Sequence, residues 1–584
     1  MVAAFAFAVL IQAGPVQPAV SPDSLAALWR DATRAQTQYE RLSRQLAPIT
    51  YSASRSGECD ERVGRFCINF SPRGYKPELP EEPARVTAAR QDVIEAFRRL
   101  VSVAPADSAA AAQLIRYLIE DDRATEAIPV ARTFAWASGN SVWSAMLLGF
   151  AHQATGEDDA AEEHFVRALE ALTPEERAEY ESIELLLAGG ERSVYRRMEA
   201  SERVEYEAAV WRIADPLLLT PGNEAWTDHM ARHVWIELLS RSPRVNGTVS
   251  WGSDLRELTL RYGVPVSRER IPAAFVWDSE IHMLERYSPD QLWYVPAELR
   301  SRGLPQRPDP GEPWHLDEPA ARSGHTPRAF TLVDLPHQVT RFPFGDSILV
   351  RVDGWVRADT AAERAEIATG LFMLFDESHE VAYRALRDTA VAAGDSIVMT
   401  LWATMPPGDY VYSIEALDAA AGQGARARYP VTLPAPTPGQ LTLSDILVTR
   451  PLPEDRTPES RTDPAIVPRP RLDLPVGASI GIYAEAHSLH ASANGLARYS
   501  VELALEPDRR GIPVIRWFGN LLGLGGDTET GVRWTAEAPG DDPAIIAVNL
   551  ALHDLDRGLY TVRLTVRDLV SGDVAESTRR IRLR

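Results

Sequence analysis

His229 and His233, in the run DHMARH, stand four residues apart, the spacing that puts two imidazoles on one helical face as zinc peptidases require. That chemistry also needs a glutamate directly after the first histidine as general base, and Met230 occupies the position. The pair reads as structural or exposed histidines, or as two metal ligands completed by a distant carboxylate such as Asp228 or Glu237; no metal is assigned. Gly477-Ala478-Ser479-Ile480-Gly481 has the GxSxG spelling of a nucleophile elbow, with His553 and Asp554 downstream. An elbow turns sharply from strand into helix, whereas Ile480 to Ala484 continues an extended pattern, and the acid follows the histidine at short range. The glycine-rich run from Gly519 to Gly531 has no phosphate-binding helix after it and reads as a hairpin loop. Lys76 is the single lysine, which removes Schiff-base chemistry and Walker-type loops. No catalytic constellation is visible, and no cofactor is assigned.

Cys59 and Cys67 close a short loop, and their even count in a chain with an export-type start points to a disulfide, with free thiols or a metal site as alternatives. Such a link contributes roughly 2–3 kcal/mol by the chain-entropy account. Residues 2 to 13 form a short apolar run, long enough for a signal-peptide core and short of the roughly 20 residues that span a bilayer. The sequence predicts an exported protein, periplasmic or associated with the outer envelope, with no transmembrane span after the signal segment. The net charge of −21 argues against nucleic acid and anionic lipid as partners.

The elements that would position these residues change character along the chain. Residues 25 to 47 have the period of an amphipathic helix, and 85 to 175 alternate helix-length apolar patterns with polar breaks. Within them Leu148, Gly149, His152, Gly156, Ala161, Phe165 and Ala168 fall at the offsets of a tetratricopeptide repeat, which this unit resembles. Gly149 and Ala161 would let two helices approach closely, with Phe165 filling the gap beside them. The resemblance implies protein binding on a concave helical face; a helical domain packed against its own chain is the plainer alternative.

The stretch from Trp211 to Pro265 joins the two halves. Trp226, Met230, Val234, Trp235 and Leu238 mark one buried helical face between Asn223 and Leu239. Ser250-Trp251-Gly252-Ser253-Asp254, followed by Tyr262-Gly263-Val264-Pro265, resembles the signature of GWxTD-domain proteins, bacterial envelope-type proteins in which a Gly-Trp-x-Thr-Asp run leads into a strand ending in Tyr-Gly-x-Pro. Ser250 and Ser253 replace the glycine and threonine, so the resemblance implies a divergent member. Trp251, Asp254 and Tyr262 are the candidate binding residues, and the alternative is a packed turn in which Asp254 caps the next element.

From about residue 328 the apolar period is two. Strand-length runs broken by Gly, Pro and Asp turns predict two immunoglobulin-like sandwiches. The sequence thus predicts a mainly α N-terminal half and a mainly β C-terminal half: signal segment 1–20, helical domain 21–210, joining segment 211–304, proline-rich linker 305–327, and sandwiches 328–434 and 441–584. The function this predicts is noncatalytic protein binding or scaffolding in the bacterial cell envelope, with a protein partner. The alternatives are an enzyme with a site between the helical and β parts, or a polysaccharide-binding protein with aromatics along one sheet.

Overall fold

A computed structural model describes residues 21–49, 61–68, 81–187, 189–241, 251–271, 282–286, 331–357, 367–375, 380–387, 391–392, 396–507, 532–540, 543–553 and 555–584. The signal segment, Cys59, the linker 305–327 and the run 519–531 lie outside the described residues. The chain divides into two compact units, Met1–Tyr180 with His229–Pro289, and Glu181–Asp228 with Asp290–Arg584. Among the described residues no helix is long and apolar enough to cross a membrane.

Helices make up most of the N-terminal half: α1 Pro22–Gln45, α2 Ala84–Val103, α3 Ser108–Glu120, α4 Ala124–Ala137, α5 Val142–Thr155, α6 Asp158–Glu170, α7 Pro174–Glu181, α8 Gly189–Tyr195, α9 Ala200–Ala214, α10 Glu224–Ser240 and α11 Ser253–Tyr262. In the first unit α1 through α6 pack successively on one another. Their starts follow from local chemistry. Ser21, Asp107 and Ser141 each accept a hydrogen bond from a backbone N–H in the first turn of α1, α3 and α5. Gly156 ends α5 in the left-handed conformation at φ 78°, which costs glycine little. Gly149 faces Phe165 across the α5–α6 contact so closely that a Cβ there would stand 2.7 Å from the ring. Every residue from Ala110 to Leu118 in α3 and from Ser144 to His152 in α5 is buried. On α10, Trp235 meets Phe150 of α5 edge-on at 5.1 Å between centroids, and the Leu238 carbonyl accepts from Gln113 Nε2 of α3. Two small hairpins complete this unit, β1 Glu61–Val63 with β2 Phe66–Ile68, and β3 Ser267–Ile271 with β4 His282–Arg286.

In the second unit two pairs of sheets follow. The first pair is built from β5 Thr331–Asp334, β6 His337–Phe344, β7 Ser347–Arg357, β8 Ala368–Phe375, β9 Val381–Arg387, β10 Val391–Ala392, β11 Ser396–Met405, β12 Gly408–Asp418 and β13 Gln423–Leu433. One sheet has the order β10-β11-β7-β6 and the other β5-β13-β12-β8-β9. They share a core in which Val350, Val352, Met399 and Leu401 face Leu371, Met373, Tyr412 and Ile414. The second pair comprises β14 Thr442–Leu443, β15 Leu447–Thr449, β16 Asp473–Leu474, β17 Ser479–His487, β18 Leu496–Pro507, β19 Val532–Pro539, β20 Ala544–Ala551, β21 Gly558–Asp568 and β22 Val574–Leu583. Here β17 pairs with β14, β15 and β20, against a sheet of order β16-β22-β21-β18-β19.

The two pairs repeat one plan. In each, a short strand that comes first in its own sheet runs parallel to the last, β5 to β13 and β16 to β22. Gly408 and Gly558, Tyr410 and Tyr560, Asp418 and Asp568, Gly422 and Gly572, and Leu433 and Leu583 stand at one constant separation along the chain and occupy the same places in the two final hairpins. The pairs are also fastened to each other. Gln338, fully buried, donates from Nε2 to the Val448 carbonyl at 2.7 Å and accepts from the Val448 N–H at 3.1 Å, so one side chain completes a strand-like pairing. Arg341 grips Asp445 through Nε and Nη2 at 2.7 and 2.8 Å, and Arg579 donates to the carbonyls of Ile446 and Val339.

Strand β12 is buried on both faces from Tyr410 to Ala416 because the chain before α10 covers its outer side. There Arg428 donates to the carbonyls of Ile213 and Asp215, Arg426 donates to those of Asp215 and Pro216, and Glu415 accepts from the Leu219 N–H. Gly370 leaves room for Leu219, whose Cδ2 lies 2.8 Å from where a Cβ would be. Burial pushes the Asp215 carboxyl up to about 7, against the opposing pull of Arg428.

Two outcomes are expected. Gly149→Ala drives a methyl into Phe165 and should lower the unfolding free energy by about 1–3 kcal/mol, read from a denaturant midpoint. For Asp215, the folded chain holds a proton between about pH 4 and about pH 7 that the unfolded chain releases, so stability from this group falls as pH rises through that range. Asp215→Asn should therefore gain on the wild type as pH rises, with the largest difference in denaturation midpoint above pH 7.

Candidate functional site

The residues singled out around the GWxTD-like run are divided between the ends of one helix. Trp251 is half-buried ahead of α11, Asp254 lies in its first turn, and Tyr262 is buried at its last, with the Arg261 guanidinium 5.5 Å from the ring centroid. Ten helical residues span about 15 Å, so the three side chains do not converge on one pocket. The strand implied after Asp254 is a helix instead. Leu255, Leu258, Thr259 and Tyr262 are buried at intervals of three and four, and that period outweighs the β-type composition of LTLRY.

Asp254 does not cap its helix in the ordinary way, since Gly252 is the N-cap and contributes no side chain. Its carboxylate is bound by Arg65, from Nε to Oδ2 at 2.5 Å and from Nη2 to Oδ1 at 2.7 Å. Oδ1 also accepts from the Leu255 N–H at 2.9 Å. Arg65 sits at the tip of the β1–β2 hairpin beside Gly64, where φ is +52° and any Cβ would fall 2.4 Å from Asp254 Cβ. The Arg65 hydrogen bonds hold the Asp254 carboxyl down at about 2. Cys67 lies in β2 of the same hairpin, while its expected partner Cys59 is outside the described residues. The position has a built-in structural use, fastening the cysteine hairpin to α11.

The histidine pair is likewise occupied. His229 Nε2 lies 2.8 Å from the Tyr180 carbonyl, which can only accept, so this nitrogen carries the proton. His233 Nε2 stands 3.2 Å from the same nitrogen and must be an acceptor there. Burial, then the neighbouring His229, pushes His233 well below its ordinary value. A protonated Nε2 turned to a carbonyl cannot bind a metal, and no cluster of three ligands exists among the described residues. In the α5–α6 pair, Leu148, Gly149, His152, Ala161, Phe165 and Ala168 are brought together in the helix contact, with His152 Nδ1 2.6 Å from Glu157 Oε2. Ser479 of the GxSxG spelling opens β17, an extended strand, so no elbow forms.

One cavity in the first unit has a volume of about 260 Å³. It lies where the end of α1, the start of α2 and parts of α3 and α10 meet the turn Val264-Pro265-Val266-Ser267. Trp235 and Leu239 supply its apolar wall, and Glu40, Arg90, Arg116 and Glu120 its charged one. Arg116, 4 % exposed, donates from Nε to Glu120 at 2.8 Å and from Nη1 to Gln113, and Arg90 reaches Asp121, Glu82 and the Tyr39 hydroxyl. Sequence reasoning missed this site because its parts come from distant segments. The local signal was the Arg116–Glu120 pair, one helical turn apart in a buried helix.

The exposed surfaces differ in kind. The outer face of the sheet β16-β22-β21-β18-β19 carries ion pairs between Arg498 and Glu537, Arg533 and Glu502, and Arg563 and both Glu506 and Glu576, while Trp534 turns inward. Among the described residues it offers sugars no aromatic platform. In the helical half, Trp136 of α4 is 84 % exposed.

No family model and no curated protein matches this chain. Among solved structures it is similar to a Bacteroides uniformis β-glucuronidase, at 7 % identity, and to β-glucuronidase 2 of the same organism covalently bound to cyclophellitol-6-carboxylate aziridine, at 8 %. Each likeness covers 40 % of this chain and 26 % of the other, with a TM-score of 0.16, so the chain spans about a quarter of these enzymes' length and the likeness carries no argument about activity.

The Arg65–Asp254 link predicts a local effect. Asp254→Ala should free the β1–β2 hairpin, so that trypsin cleaves faster after Arg62 and Arg65 while the global melting temperature moves little. In the wild type the link is complete above about pH 4, the ordinary carboxyl range, and is lost as pH falls through about 2.

Proposed function

We propose that this chain is a noncatalytic protein-binding or scaffolding protein of the bacterial cell envelope, exported by its N-terminal segment. Its joining segment is read as a divergent GWxTD domain, its helical half as tetratricopeptide-like, and its β half as two immunoglobulin-like sandwiches. The sandwich reading is supported by Tyr560, whose hydroxyl bonds back to the Asp556 carbonyl at the start of β21 as in a tyrosine corner. A Cys59–Cys67 disulfide fits the same exported setting.

The observation that carries the proposal is Trp136. The inner helices α3 and α5 are buried from Ala110 to Leu118 and from Ser144 to His152 and meet α10 of the same chain, so the face on which repeat arrays usually take a peptide is occupied. The layer that stays open includes α4, where Thr125, Pro129, Arg132 and Thr133 form one exposed stripe with Trp136. A tryptophan left in water is costly surface unless a partner covers it, and tryptophan dominates the centres of protein interfaces. The chemistry-bearing candidates favour binding over catalysis, because Asp254, His229 and His233 already serve contacts within the fold.

The test is in-cell crosslinking of tagged full-length protein with a photoreactive residue at position 132, followed by fractionation and mass spectrometry. One defined envelope partner should be recovered with the wild type and lost with Trp136→Ala, whose melting temperature should equal that of the wild type. Recovery of the protein alone, or a partner indifferent to Trp136, would sink the proposal.

A further inference from the structure

The chain between α9 and α10 lies over the outer face of the sheet β5-β13-β12-β8-β9, fastened there by side chains of the sheet and not by a ladder of strand pairing. From β13, Arg428 Nη1 donates to the carbonyls of Ile213 and Asp215 at 2.8 and 2.9 Å, and Arg426 Nη1 to those of Asp215 and Pro216 at 3.2 and 2.9 Å. From β12, Glu415 Oε2 accepts from the Leu219 N–H at 3.1 Å. Two guanidinium groups and one carboxylate thus hold the main chain of residues 213–219.

The segment brings one titratable side chain into this contact, Asp215. Its carboxyl is buried, and Oδ1 has no hydrogen-bond donor. The charged groups that face it are Glu415 of β12 and Arg426 and Arg428 of β13; Arg212 of α9 is turned to Glu380, and β8 presents Gly370 to Leu219. Burial, seconded by the charge of Glu415, holds the carboxyl up at about 7, while Arg428, Arg426 and the Leu217 N–H pull the other way. A neutral Asp215 leaves both guanidinium groups to the carbonyls. An ionised one sets a second carboxylate beside Glu415 and competes for the same N–H donors, because a carboxylate draws a guanidinium more strongly than a carbonyl does.

We propose that residues 213–219 are a pH-sensitive strap, latched on the sheet while Asp215 carries its proton and loosened when the proton leaves. Loosening uncovers the polar face formed by Ser413, Glu415, Arg426 and Arg428. The latched form keeps a proton that the released form gives up, so the proton favours latching fully below about pH 4, the ordinary aspartate value, and that preference is gone above about pH 7. The strap does not depend on a partner at Trp136.

Amide hydrogen exchange of the full-length protein, corrected for the intrinsic pH dependence of exchange, tests this. Between pH 5 and pH 7.5 the Leu219 and Thr220 amides should lose at least about tenfold of their protection and then level off, while those of Val562 and Leu564 in β21 stay constant. Asp215→Asn should hold the Leu219 and Thr220 protection flat across the same range. Unchanged protection of these two amides in the wild type, a loss shared equally by β21, or the same loss in Asp215→Asn would each overturn the proposal.

Discussion

Backbone carbonyls left over at helix ends, along strands and in the segments between elements must find donors once they are buried, and in this chain arginine supplies them repeatedly. Arg428 and Arg426 hold the segment Ile213–Pro216 on β12 and β13, Arg579 ties Ile446 and Val339, Arg351 reaches the carbonyl of Arg461, and Arg232 that of Leu260. The planar guanidinium can serve two carbonyls and a carboxylate together, as Arg428 does with Ile213, Asp215 and Glu415. A lysine ammonium has no such fork. The near absence of lysine, which as composition alone suggests only nucleotide bias, has a structural counterpart, because a protein joined this way has little use for it.

These contacts explain why β12 and its counterpart β21 differ. Both start at a glycine and a tyrosine and both end at an aspartate that organises the next turn. On the outer face of the first sheet, Ser413, Glu415, Arg426 and Arg428 form a buried polar network under the Leu217–Leu219 segment. The corresponding positions of the second sheet, Arg563, Thr565, Glu576 and Thr578, stay at the surface with exposed ion pairs worth little individually. One plan is therefore used twice, once as a socket and once as a wettable face.

How much of this was legible depended on range. Helix α1 and helix α10 follow from apolar spacing, within a few residues of the expected 25–47 and 223–239, and the strands of the C-terminal half follow from alternation. The close approach of Gly149 to Phe165 was readable because both fall within one helical hairpin. Arg65 and Asp254 lie far apart in sequence, and nothing local to either names the other. The repeated Gly-x-Tyr to Asp to Gly spacing was present in the sequence, but divergence at all positions between these markers hid it from inspection. The strand expected at α11 came from the GWxTD resemblance alone, whereas the spacing of its own leucines fits a helical face.

The parallel pairing of β5 with β13, the first and last strands of the first pair of sheets, has a mechanical consequence. Strand β5 enters the first pair of sheets beside β13, which leaves it, and the two run in the same direction. Tension between those ends pulls the strands past each other lengthwise, loading all the shared ladder bonds at once instead of peeling them singly. The first pair of sheets is thereby built to resist stretching along the chain.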